Sequence, residues 1–198
     1  MSTKYILHGG VTGERSESNK AYFREMVADV HDPKVLLVYF ARKLEEYDYL
    51  YGRDTGNFAW ANPGGDIKFT VADPESFVDQ VDSHNVIFFM GGETQDLIDA
   101  VKIYDLDKDI FNGKVVSGSS AGAYLLSSYY YANSRKDIFK GLGFLPVAVW
   151  AHYRANRGSE YWLSEEQIAE IENQLQEKVG EGDVVKLREQ EFVVYNQD

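Results

Sequence analysis

Along this 198-residue chain, short apolar runs alternate with longer amphipathic stretches. Lys4-Tyr5-Ile6-Leu7 predicts a first strand, closed by His8-Gly9-Gly10. From Ser18 to Val30, Tyr22, Phe23, Met26, Val27 and Val30 recur at helical spacing. Asp32-Pro33 breaks that helix, and Val35 to Phe40 reads as a continuous apolar strand. Tyr47 to Gly65 is the least regular stretch, where Tyr, Asn, Gly and Pro63 predict loops. A shorter strand over Ile67 to Val71 and a brief helix from Pro74 to about Val81 follow. Val86 to Met90 predicts a strand buried on both sides, running into Gly91-Gly92.

Glu93 to about Leu106 is helical again, and Val115-Val116-Ser117 is a strand. Ala121 to Tyr131 predicts a helix that is apolar almost all round and therefore buried. Val147 to Trp150 is another short strand, and Ser164 opens a helix with Gln167 three residues on, a capping box. Val184 to Leu187 and Phe192 to Tyr195 read as two final strands around a turn. Apolar strands separated by helices predict an α/β fold: three layers, a mostly parallel sheet with helices on both faces. With no internal repeat, low-complexity tract or Pro/Ser linker, a single domain over residues 1–198 is expected.

Composition narrows the partners. A 44% hydrophobic fraction with 14 Tyr and 11 Phe argues against disorder. The net charge of −12 argues against nucleic acid, which needs a basic footprint. Apolar runs fall short of a membrane span, and the opening residues carry no secretory-leader pattern. The absence of cysteine rules out a disulfide framework, a Cys nucleophile and a thiolate metal site, and predicts a cytoplasmic protein.

The chemistry starts at Gly118-Ser119-Ser120-Ala121-Gly122, a G-x-S-x-G pattern between a strand and a helix. A serine at such a turn is lifted above the sheet, and only Ser120 has glycines at both flanking positions. The backbone N–H of Ala121 can then serve a developing oxyanion. A serine needs a base, and four histidines are available. His31 and His84 fall at the amino ends of strands, the wrong side of the sheet; His8 and His152 fall on the carboxyl side. His152 is the better candidate, because it follows Gly141 to Pro146, a rigid lead-in to its strand.

Phe89 to Thr94, Ser117 to Gly122, and Gly141 to Pro146 leading to His152-Tyr153 occur in that order. Together they resemble the aspartyl dipeptidase (dipeptidase E) and cyanophycinase family of serine peptidases, with a class I glutamine amidotransferase-like fold. The resemblance implies Ser120 as nucleophile, His152 as base and a Gly91 or Gly92 N–H as second oxyanion donor. It implies a glutamate near the chain end as the orienting acid. Glu189 falls at that place, with Glu191 and Asp183 as alternatives. Two positions depart from the family pattern: Glu93 stands where Asn usually precedes Thr, and Ala151 where Pro often precedes the histidine.

An aspartyl preference would require a cation in the pocket, and Arg154 and Arg157 follow the histidine closely. No metal or nucleotide-cofactor motif is present, so no cofactor is expected. The leading expectation is a serine peptidase on small peptides, acting as a monomer or homodimer. The alternatives are an esterase or amidase on a non-peptide substrate, and an inactive binding or sensing domain, which Glu93 would favour. Ser120 and His152 within hydrogen-bond reach beside an open cleft would favour an enzyme.

Overall fold

The computed structural model describes residues 2–155 and 162–197. Among the described residues, ten strands form two sheets. The first contains β1 (Thr3–His8), β2 (Lys34–Val38), β3 (Lys68–Val71), β4 (Val86–Phe89), β5 (Val115–Ser119) and β10 (Phe192–Gln197). Its order is β10-β1-β5-β4-β2-β3, parallel throughout except that β10 runs antiparallel to β1. The second contains β6 (Ser127–Ala132), β7 (Asp137–Lys140), β8 (Leu145–Ala151) and β9 (Val184–Leu187) in the order β7-β6-β8-β9. Here β8 is parallel to both β6 and β9, and β7 is antiparallel to β6.

Alternation along the strands divides the core. Ile6, Leu37 and Phe88 point to the face covered by α1 (Glu17–Glu25) and α2 (Tyr47–Ala61), where they meet Tyr22, Phe23 and Phe58. Leu7, Leu36 and Phe89 point to the other face, toward α3 (Phe77–Ser83), α4 (Thr94–Lys102) and α5 (Ala121–Leu126). Val149 and Val185 of the second sheet join that same core, and α6 (Glu165–Val179) covers the sheet's outer face through Ile168 and Leu175. Helices therefore flank mostly parallel sheets on both sides, the fold class expected from the apolar runs. The capping box also forms: Ser164 Oγ accepts the Gln167 N–H, and the Gln167 side chain accepts the Ser164 N–H.

Three local expectations are corrected. The stretch read as loops from Tyr47 contains α2, a helix of 15 residues. Its buried face comprises Leu50, Asp54, Asn57, Phe58 and Ala61, a helical spacing hidden because two members are polar. Those two are satisfied inside: Tyr39 donates its hydroxyl to Asp54, and Asn57 donates its amide to the Thr12 carbonyl.

The helix predicted over Ala121 to Tyr131 ends at Leu126. Ser127 Oγ donates to the Tyr124 carbonyl at 2.9 Å, and the chain turns into β6, whose tyrosines favour a strand. Tyr130 then stacks on Tyr124, ring centroids 4.5 Å apart.

The last two strands are not partners. β9 extends the second sheet and β10 the first, so the link Arg188–Glu191 crosses between sheets.

Candidate active site

Ser120 sits where β5 turns into α5, at φ 51° and ψ −107°, the left-handed side of the map that a non-glycine residue rarely occupies. The turn closes only because its neighbours lack side chains. A Cβ on Gly118 would lie 2.3 Å from the Gly122 carbonyl carbon, and one on Gly122 would lie 2.1 Å from the Phe89 carbonyl oxygen. The Ser120 N–H donates to the His8 carbonyl at 2.9 Å, tying the turn to the end of β1.

His152 follows β8, also in the left-handed region at φ 54°. Its Nε2 lies 2.9 Å from Ser120 Oγ, and its Nδ1 lies 3.1 Å from Glu189 Oε1. These side chains are shielded without being sealed, His152 at 17% and Glu189 at 31% exposure. The other two carboxylates are engaged elsewhere. Glu191 accepts the Arg188 N–H at 2.9 Å, folding the turn that presents Glu189, and Asp183 faces the Tyr195 hydroxyl. His84 is held by Gln80 and Thr70 at the opposite end of the sheet. His8 is fully buried beside Ser119, and burial pushes its imidazole down to about 4.

The Gly91-Gly92 turn abuts the serine: a Cβ on Gly91 would lie 3.2 Å from Ser120 Cβ. A Cβ on Gly92 would lie 2.2 Å from the Ala41 carbonyl oxygen, so that position has no room for a side chain, and Gly91 is tightly packed. Arg42 Nε donates to the Gly91 carbonyl at 2.7 Å. Because the peptide is trans, this contact also fixes the direction of the Gly92 N–H, opposite to that carbonyl. Among the described residues, neither the Gly91 nor the Gly92 N–H donates to a backbone carbonyl.

These groups open on a cleft of about 470 Å³, whose walls include Arg42, Arg53, Glu93, Ser120, Asn133 and His152. Arg53 is anchored from behind. Its Nε and Nη2 both donate to Asp54 Oδ1, at 2.9 and 2.6 Å, and Asp54 is fully buried. Burial pushes the Asp54 carboxyl up, against the opposing effects of Arg53 and the Tyr39 hydroxyl.

Of the two arginines expected to meet substrate, Arg154 lies outside this cleft. It makes a forked pair with Glu165 at 2.7 and 2.5 Å and sits over the Tyr153 ring. Arg157 lies outside the described residues. The cations in the cleft, Arg42 and Arg53, were missed by the sequence reading. Arg42 carried a usable signal, since it follows the carboxyl end of an apolar strand, on the same side as Ser120. Arg53 carried none, because its helix was read as loop.

Among the described residues, no group of three or more His, Asp or Glu side chains is arranged to hold a metal ion, and no helix is long and apolar enough to cross a membrane.

The family model of Peptidase family S51 matches residues 6–198. This chain belongs to that family, the dipeptidase E and cyanophycinase group. It is accordingly a serine-type peptidase, a hydrolase of peptide bonds. Two solved structures resemble it. One is a peptidase from an acI-B1 Actinobacterium, 17% identical, with a TM-score of 0.66 over 98% of this chain and 84% of that one. The other is a protein assigned as peptidase E from Listeria monocytogenes EGD-e, 15% identical, with a TM-score of 0.68 over 99% and 95% of the two chains. At those identities the likeness carries the fold alone. No curated protein matches the chain.

Proposed function

We propose that Ser120, His152 and Glu189 form the catalytic triad of this S51 peptidase, acting through an acyl-enzyme on short peptides with an N-terminal aspartate. The observation that supports this most is the unbroken relay from Ser120 Oγ through both imidazole nitrogens to Glu189, beside an open cleft. Ser120 Oγ attacks the scissile carbonyl as His152 Nε2 takes its proton. Glu189 holds the tautomer that leaves Nε2 free to accept, and stabilises the imidazolium that forms. The N–H of Ala121 and one from Gly91 or Gly92 receive the oxyanion. Collapse expels the leaving amine, which takes the proton from His152. Water then attacks the ester by the same route in reverse and regenerates Ser120.

The substrate class rests on the charges of the walls. Arg42 and Arg53 suit the aspartate side chain, the latter through a guanidinium already fixed by Asp54. Glu93 offers a carboxylate to a free amino terminus on the same cleft. A cytoplasmic place of action belongs to the same reading, as does a cofactor-free mechanism.

Ser120→Ala should abolish both peptide hydrolysis and labelling by a fluorophosphonate, with the circular dichroism spectrum unchanged. Retained hydrolysis in that variant would sink the assignment.

A further inference from the structure

Three backbone donors around the site converge on one short segment. The N–H of Ser120 donates to the His8 carbonyl at 2.9 Å, that of His152 to the Gly9 carbonyl at 3.1 Å, and that of Gln190 to the Gly10 carbonyl at 3.0 Å. The Gly9 N–H completes the set by donating to the Glu191 carbonyl at 2.9 Å. Consecutive carbonyls of one turn thus receive the serine, the histidine and the residue after the glutamate. These arrive from the end of β5, the end of β8 and the link between β9 and β10.

The three donors share a second property. Ser120, His152 and Gln190 all have positive φ, 51°, 54° and 66°. Non-glycine residues keep such conformations only where their surroundings over-determine them. Here the shared partner is the turn at the end of β1.

Its two glycines are pressed against the machinery. A Cβ on Gly9 would lie 2.0 Å from the Arg188 carbonyl oxygen, and one on Gly10, at φ 109°, would lie 2.2 Å from His152 Cε1. A segment with two glycines has little conformational preference of its own, so something else must set its shape. Besides the backbone bonds above, the His8 side chain holds it from within. His8 Nδ1 accepts the Gly10 N–H at 3.0 Å, and Nε2 lies 2.9 Å from Asn19 Oδ1. Since Nδ1 accepts from an amide, the ring proton resides on Nε2 and is donated to Asn19. Asn19, buried on α1, spends its amide hydrogens on the carbonyls of Val11 and Glu14, which fixes its own orientation. The Tyr22 ring, centroid 4.2 Å away, closes the remaining side of the imidazole.

We propose that the His8-Gly9-Gly10 turn is the frame on which the three triad-bearing segments are assembled, and that His8 is a positioning residue whose neutral imidazole holds that frame. The catalytic part of this inference rests on the Ser120-His152-Glu189 reading. The frame itself does not. A mere space-filling role for His8 predicts that an apolar residue of similar size would serve, whereas a positioning role requires an acceptor at the Nδ1 place. His8→Leu removes the acceptor; His8→Asn keeps an oxygen near it.

Two measurements on the full chain separate the possibilities. Amide hydrogen exchange reads the frame directly. In His8→Leu the N–H groups of Ser120, His152 and Gln190 should exchange about tenfold faster than in wild type, with core amides of β4 unchanged. The rate of fluorophosphonate labelling reads the chemistry. It should fall about 100-fold in His8→Leu, as expected for a small misplacement of reacting groups, and recover most of that loss in His8→Asn. Should His8→Leu not fold, Gly10→Ala tests the same frame from the imidazole side, and its labelling should fall about 100-fold as well. Unchanged exchange at the three amides in a folded His8→Leu, or wild-type labelling in Gly10→Ala, overturns the proposal. A wild-type protein that resists labelling at Ser120 overturns the triad reading instead, and the exchange data still decide the frame.

Discussion

A histidine sealed inside a fold is a titration waiting to be linked to stability. His8 has no exposed surface, and its imidazole is pushed down from 6.5 to about 4, first by burial and further by the charge of His152, against the favourable contact with Asn19. The unfolded chain therefore binds a proton on this residue between pH 6.5 and 4 that the folded chain refuses. Stability rises with pH wherever the unfolded state binds more protons, so this residue's contribution is intact at pH 7 and shrinks as pH falls. The loss comes to roughly 2 kcal/mol by pH 5 and roughly 3 kcal/mol by pH 4. Urea unfolding of wild type and His8→Asn at pH 7 and pH 5 should show the smaller drop in the variant, by about 2 kcal/mol. Equal drops would mean that His8 titrates alike in the folded and unfolded chains, and that burial does not hold its imidazole neutral.

The elements differ in how openly the chain declared them. β1, β2, β4 and β5 were legible as apolar runs because both of their faces are covered, leaving no polar position to blur the signal. Ser120 and His152 were legible for a related reason: a strand ending in a small-residue turn has few uses, and both lie at carboxyl ends. α2 was not legible. Its buried face includes Asp54 and Asn57, whose partners Tyr39 and Thr12 come from distant segments that no local pattern can reveal. Gly52 and Gly56 further disguised it. At both positions a Cβ would meet nothing within 4 Å, and neither carries positive φ, so the glycines only weaken the helix. Replacing both with alanine should stabilise the protein by about 1–2 kcal/mol, raising Tm by roughly 3–6 °C. Thermal unfolding followed at 222 nm checks this; a lowered Tm would show that α2 needs the glycines for a close approach. The split of the last two strands between sheets was equally hidden, since β9 and β10 look alike in sequence and only their partners distinguish them.

Over the whole molecule, a net charge of −12 meets a cleft that holds Arg42 and Arg53. For a peptide such as Asp-Leu, net negative at pH 7, the two act at different ranges. The global charge repels the substrate from beyond a Debye length of about 8–10 Å, and salt screens that repulsion. Arg53 acts at contact, with only 19% of its side chain exposed, and salt screens it far less. kcat/KM for Asp-Leu should therefore rise as ionic strength goes from about 0.01 to 0.15 M, while the neutral analogue Asn-Leu stays flat. Arg53→Lys keeps a cation for Asp54, so the buried carboxylate is not abandoned, but it loses the Nη1 donors that Asp54 and Met90 leave for the substrate carboxylate. A lost charge-assisted contact of roughly 1.5–3 kcal/mol corresponds to about a 10- to 100-fold fall in kcat/KM for Asp-Leu. That fall should be the same at every salt concentration and absent for Asn-Leu. If Arg53→Lys instead lowers both substrates equally, Arg53 serves the scaffold of the cleft and the aspartate side chain is held elsewhere. A salt response that is flat for both peptides would mean that the Arg42 and Arg53 field already cancels the global charge at the mouth of the cleft.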